Sequence, residues 1–283
     1  MSVLLQISDP HFGTEQPAAV EALVRLVTRL QPRLVVLSGD ITQRATAAQF
    51  AAALAFTKTL APVPMLVVPG NHDIPLFALL TRLIRPYGRY EAAFGAATDR
   101  EFVDDHWHVV ALNTTRPWRH TQGEVSARQV AFAAARLQTA APGALKVVVT
   151  HQPVAVTEAR DRDNLLRGHT AAIHAWQAAG VDLVLGGHIH LPFIVRLHGE
   201  GSAAVANGTD RPLWAAQAGT AVSTRVRRGT FNSVTELRVE PGRCAPGQRN
   251  CDLRFWDWPG GGEFEPREAI TLRLAVEPHG SLG

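Results

Sequence analysis

Two aspartates, one asparagine and five histidines recur in short polar breaks through the first 190 residues. The breaks are Asp9-Pro10-His11, Gly39-Asp40, Gly70-Asn71-His72, His151 and Gly187-His188-Ile189-His190. Carboxylate, imidazole and amide-oxygen donors form the ligand set of borderline cations such as Zn, Fe and Mn. Any one histidine alone reads as an ordinary polar residue of a core or surface. Five of the 12 histidines at such breaks make a metal centre the better account. Eight polar groups are more than one ion needs. Two ions sharing the Asp40 carboxylate would use them. Such a pair makes hydroxide a strong nucleophile near neutral pH and stabilises both oxygens of an in-line displacement at phosphorus.

Each break follows an apolar run of strand length, which is what could bring distant residues together. The runs at residues 3–7, 34–37 and 65–68 alternate with amphipathic helical patterns at 17–30 and 46–60. This is a β-α-β-α-β order, which implies parallel strands and right-handed crossovers. Parallel strands end on one rim, and ligands in open α/β sheets bind at that edge. Further strands are expected at 107–112, 145–150 and 181–185, with an Ala-rich helix at 126–139 capped by Ser126. After residue 190 the pattern changes to short alternating segments at 191–198, 203–206, 213–217 and 231–239. These suggest a second, more antiparallel sheet. The Gly-, Pro- and Trp-rich stretch 241–266 reads as a surface excursion before a last strand near 270–276. Its Trp256 and Trp258 read as hydrophobic cover rather than a stacking platform for substrate.

The five blocks Asp9-x-His11, Gly39-Asp40, Gly70-Asn71-His72-Asp73, His151 and Gly187-His188-x-His190 resemble, in order, the signature of the calcineurin-like metallophosphoesterases. The resemblance covers roughly residues 3–190, with weaker similarity to about 239. It implies an α/β fold, a four-layer α/β/β/α sandwich of two mixed β-sheets flanked by helices. It further implies two divalent or trivalent metal ions (Mn, Fe or Zn). Asp9, His11, Asp40 and His190 would hold one ion, and Asp40, Asn71, His151 and His188 the other. His72 would be the catalytic residue that contacts the scissile phosphate and protonates or stabilises the leaving oxygen. Asp73 belongs to the motif but reads as a structural turn residue.

One departure narrows the family. Protein phosphatases of the superfamily extend the second block to Gly-Asp-x-x-Asp-Arg-Gly. Here the block is Gly39-Asp40-Ile41-Thr42-Gln43-Arg44-Ala45. Gln43 stands where those enzymes place the Asp that pairs with the catalytic His, so the partner of His72 is left open. The whole pattern looks more like the bacterial class III cyclic-nucleotide and glycerophosphodiester phosphodiesterases. The expected function is hydrolysis of a small phosphodiester, a cyclic nucleotide first, by attack of metal-bound hydroxide. Alternatives on the same residues are a pyrophosphate hydrolase of the UDP-diacylglucosamine type, another phosphomonoesterase or phosphodiesterase, and a DNA nuclease of the superfamily. A non-catalytic scaffold ranks last, because every ligand is present. Asn113, Arg119, His120 and Arg160 are candidate substrate contacts on the loops, and residues 74–95 a candidate lid.

Composition sets the remaining bounds. The chain has 283 residues, 46% apolar and 19% charged, with a net charge of +3. That is a globular composition with material for a core. We expect one metallophosphoesterase domain over 1–283, with a motif-bearing core at 1–240 and a C-terminal excursion and last strand at 241–283. No apolar run reaches the roughly 18 residues of a membrane span, and the first residues lack a basic leader pattern, so the expectation is cytoplasmic. The basic charge is diffuse, and Arg225-Val226-Arg227-Arg228 is too short to define a nucleic-acid groove. A homo-oligomer is allowed. Cys244 and Cys251 are too few for a disulfide framework.

Overall fold

The computed structural model describes residues 1–197, 212–240 and 249–274. The strand expected at 203–206 lies outside them, as does Cys244. The first half runs β1 (Ser2–Ile7), α1 (Pro17–Leu30), β2 (Leu34–Ser38), α2 (Ala47–Thr59), β3 (Met65–Val68), α3 (Leu79–Ile84), α4 (Gly88–Phe94), β4 (Arg100–Val103) and β5 (Trp107–Ala111). It continues with α5 (Ala127–Gln138), β6 (Leu145–Val149), α6 (His169–Ala178), β7 (Leu183–Gly186), β8 (Phe193–Leu197), β9 (Leu213–Gln217), β10 (Asn232–Val239), β11 (Arg249–Trp258), β12 (Glu265–Pro266) and β13 (Ile270–Leu274).

Local chemistry explains the helices. Pro17 opens α1, where its missing N–H is one that a helix start leaves unused anyway. Thr46 and Gln49 close a capping box on α2, and Ser126 and Gln129 do the same on α5.

The strands form two sheets. One has the order β12-β11-β10-β1-β2-β3, with β13 also paired to β11; the other runs β4-β5-β6-β7-β9-β8. In β1, alternate residues face opposite layers. Leu5 and Ile7 pack with Leu23 and Leu26 of α1 and Phe50 of α2. Leu4 faces inward with Val36, Trp107, Val147 and Leu185, so this cluster is the seam between the sheets. On the far side Val148 and Val184 meet Ala133 of α5 and Trp176 of α6. Three apolar layers separate four layers of structure, which is the expected α/β/β/α sandwich.

Two expectations are corrected. The late strands do not make a separate antiparallel sheet. β9 pairs parallel with β7, and β10 pairs antiparallel with β1. Each late strand completes a sheet already begun by the early ones, covering an edge that would otherwise expose unpaired backbone. Nor is the stretch 241–266 a surface excursion as a whole. β11 pairs with β10 from Asn232↔Trp258 to Arg238↔Asp252, and Cys251, Leu253, Phe255, Trp256 and Trp258 are buried. The Gly and Pro content obscured ten residues of strand. Cys251 is a free thiol in that core.

Candidate active site

Asp9 and His11 follow β1, Asp40 follows β2, Asn71 and His72 follow β3, His151 follows β6, and His188 and His190 follow β7. The loops of the first sheet therefore face those of the second across the top of the seam. Backbone bonds lock them together: Asp9 N donates to Gly39 O at 3.1 Å, and Gly187 N to His151 O at 2.8 Å. A Cβ on Gly70 would fall on the Asp40 backbone, and one on Gly187 on Ser8 Oγ and Asp9 Oδ2. Glycine is what lets these loops close to contact.

Five of the polar residues hold left-handed backbone: Asp9 (φ 51°), His11 (45°), Asp40 (46°), His188 (74°) and His190 (55°). Such conformations cost about 1–3 kcal/mol each for a non-glycine residue and concentrate at functional sites. Here they turn successive side chains into one space.

Two clusters result, Asp9 with His11 and His190, and Asp40 with His151 and His188. His190 Nε2 is 3.3 Å from Asp9 Oδ1, and His11 Nε2 is 3.7 Å from Asp40 Oδ2. His151 Nε2 lies 3.2 Å from Asp40 Oδ1, but without hydrogen-bond geometry. Asp40 thus touches both groups.

Outer partners fix the rings. His151 Nδ1 donates to Ser38 O at 2.9 Å and His190 Nδ1 to Arg225 O at 2.7 Å, which leaves each Nε2 lone pair facing inward. His188 uses the opposite nitrogen. Its Nε2 donates to Asn164 Oδ1 at 3.1 Å, so Nδ1 carries the inward lone pair. Asp9 accepts from Ser8 Oγ at 2.5 Å and from the His188 backbone N–H.

These groups fit a cation. His151 Nε2, His188 Nδ1 and Asn71 Oδ1 are buried and have no hydrogen-bond partner among the described residues. His11 Nε2 and His190 Nε2 face each other at 3.1 Å. Orphaned buried acceptors are costly unless something positive meets them.

The charge pattern agrees. Burial disfavours the charge on both carboxylates, yet His190 draws Asp9 down to about 2, and His151 and His72 hold Asp40 well below the usual range. Burial pushes His11 down to about 3 and His188 to about 4, so both rings stay neutral. Burial also opposes charge on His151, but Asp40 overrides it and raises that ring to about 9, so its Nε2 lone pair becomes available only when a cation displaces the proton.

His72 stands beside the clusters. Its backbone N–H donates to Asp40 Oδ1 at 2.8 Å, and its Nε2 is 4.0 Å from Asp40 Oδ2. The open question of its partner has an answer here: His72 Nδ1 donates to the backbone carbonyl of Gln43 at 2.9 Å. Position 43 orients the ring through its main chain, so the missing carboxylate is not needed for that. Asp73 is a brace, accepting from the backbone N–H groups of Gly70, Ile41 and Thr42.

The expected substrate contacts separate. His120 lines a cavity of about 70 Å³ together with Asn71, His72 and Arg82. Arg119 pairs with Glu124 at 2.8 Å, and the exposed Arg160 with Glu158 at 2.6 Å. Asn113 is spent on joining two loops, donating to Ala97 O before β4 and accepting from the Thr115 N–H beside it. Sequence reasoning missed Arg225 and Asn164. Arg225 Nη1 lies 3.2 Å from His72 Nε2 and donates to Gln43 Oε1 at 2.9 Å. The run around Arg225 was weighed only as a nucleic-acid patch, and nothing local to Asn164 marks it.

Two carboxylate–imidazole clusters meeting at Asp40 above the strand ends of a four-layer sandwich make a candidate dinuclear metal centre. The chain belongs to the calcineurin-like phosphoesterases, whose family model matches residues 2–192. It is similar to a cAMP/cGMP dual specificity phosphodiesterase of Mycobacterium tuberculosis, 27% identical over 202 residues. That match spans 66% of this chain and 61% of the relative's length. Among solved structures, a dimetal phosphatase from Danio rerio has the same fold, with a TM-score of 0.67 and 14% identity over 97% of this chain and 99% of that one. So does the purple acid phosphatase PPD1 of yellow lupin, at 0.69 and 12% over 100% and 57%.

Proposed function

We propose that this protein is a dinuclear phosphodiesterase that hydrolyses a small phosphodiester, with a cyclic nucleotide the first substrate to test. The observation that carries the reading is the pair of donor clusters meeting at Asp40, with His72 at their edge. Asp9, His11, Asp40 and His190 would hold one ion and Asp40, Asn71, His151 and His188 the second, with Mn, Fe and Zn all suited to such donors. When bound, the two cations supply Lewis-acid activation of water and neutralise charge on the phosphoryl oxygens.

The chain's own residues do the rest. The Gln43 carbonyl holds the His72 ring so that Nε2 faces the site. With Nε2 protonated, His72 donates to the leaving ester oxygen as its bond to phosphorus breaks. Arg225 sets a guanidinium beside that ring, and its planar donors match phosphate oxygens. The phosphodiesterase name of the mycobacterial relative supports the substrate class. A cytoplasmic location belongs to the same reading.

The test pairs metal analysis with a panel of cyclic AMP, bis-p-nitrophenyl phosphate and p-nitrophenyl phosphate, each assayed with Mn, Fe and Zn. The diesters should be hydrolysed in preference to the monoester. Asp40→Ala and His188→Ala should lose both bound metal and hydrolysis. Full metal content and full activity in both variants would overturn the ligand assignment, and cleavage confined to the monoester would overturn the substrate class.

A further inference from the structure

The segment that follows the Asn71-His72-Asp73 turn is built inside out. Helix α3 buries none of its residues. Its polar side faces the body of the protein: the Arg82 guanidinium donates to Pro117 O and Arg119 O at 2.7 Å each, and to Pro75 O at 3.3 Å. Its apolar side faces out. Leu80 is 71% exposed and Leu83 82%, with Leu79 and Ile84 beside them. Phe77 precedes them, and Trp118, 74% exposed, sits on the loop that Arg82 holds. Because the arginine is anchored on three carbonyls, the helix cannot turn its leucines inward without orphaning that charge. Exposed apolar groups in one contiguous stretch mark a surface meant for a partner.

The charge around the stretch says which partner. Residues 74–90 carry no carboxylate and, besides the inward-facing Arg82, hold Arg85 and Arg89. Exposed Arg44 stacks its guanidinium over the Phe77 ring at 5.5 Å. Among the described residues, neither Arg44 nor Arg85 forms an ion pair. A second copy of the same face would bring arginines against arginines across a two-fold axis. An anionic bilayer surface instead takes the leucines and tryptophan at its acyl boundary and the arginines at its headgroups.

We infer that the α3 segment and Trp118 seat this protein on anionic membrane surfaces. No helix of the described residues is long and apolar enough to span a bilayer, so the attachment is peripheral. Leu76 and Arg82 also line the cavity that holds His72 and His120, so the membrane-facing stretch borders the catalytic groups. The inference does not depend on which phosphoester is hydrolysed.

The experiment is cosedimentation of the full chain with vesicles of phosphatidylcholine alone or mixed with phosphatidylglycerol. The Leu80→Glu/Leu83→Glu variant runs in parallel, with far-UV circular dichroism as its control for folding. The protein should bind the mixed vesicles in a salt-sensitive way, with binding at least tenfold weaker in the variant. Failure to bind either vesicle, or equal binding by a variant that is still folded, would overturn the inference. So would a dimer, seen by light scattering, that the same two substitutions dissociate, because the face would then belong to a second copy. A chain that binds vesicles but hydrolyses no diester would leave this inference standing and remove the phosphodiesterase reading alone.

Discussion

At the scale of single residues, the site separates groups that would touch the cations from groups that hold those groups in place. Asn164 fixes the His188 tautomer, and Arg225 faces His72. Their losses should therefore differ in kind. Asn164→Ala frees the ring that donates Nδ1, so metal affinity should fall about 10–100-fold, as outer-partner losses do, and excess metal should restore activity. Arg225→Ala keeps the backbone carbonyl that holds His190, so metal content should stay at the wild-type level. Its turnover of a diester should drop by about 10²-fold, the scale of a lost donor to developing charge. Metal titrations followed by steady-state kinetics distinguish the two. Activity of the Arg225 variant that returns with added metal would contradict its assignment to the phosphate.

At the scale of elements, the site is a property of loops pinned to strand ends. The β1, β2 and β3 loops come from one sheet and the β6 and β7 loops from the other. They come into contact where glycine leaves room, at Gly187 against Ser8 and Asp9. A methyl group there has nowhere to go, so Gly187→Ala should push the His188–His190 segment off the Asp9 loop. The strands beneath carry their own ladder bonds and apolar contacts and should survive. Purified Gly187→Ala is expected to show wild-type far-UV circular dichroism and substoichiometric metal by elemental analysis. Stoichiometric metal in that variant would mean that the loops do not need this contact.

At the scale of the whole molecule, the donor set ties the two sheets together above an apolar seam. Cations held by these donors would bind the folded state, in which both loop sets are present, and not the unfolded chain. They should stabilise it by mass action, by about 2.7 kcal/mol at a free concentration 100 times the dissociation constant. Chelation followed by dialysis should therefore lower the melting temperature, and readdition of Mn, Fe or Zn should restore it. A melting temperature indifferent to chelator and metal would argue against a site shared between the sheets. The buried Cys251, whose thiol burial pushes far above its usual range, belongs to the same core and takes no part in this chemistry.

The sequence by itself determined the donors and the early strands. Carboxylates and imidazoles at the ends of apolar runs are visible because strand and break alternate locally. The cap at Ser126 and the bounds of α1 were legible for the same reason. Only the tertiary structure decided how the late strands pair, because register with β1 and β7 is a contact across more than 25 residues of chain. It also decided that β11 is core, where turn-forming residue types masked a strand with alternating burial. The partner of His72 is a main-chain carbonyl, which side-chain identity cannot reveal. Arg225 and Asn164 reach the site from 153 and 24 residues away from the histidines they meet. Residue types name the chemistry that is available, and packing of the two sheets sets which groups stand within bonding distance.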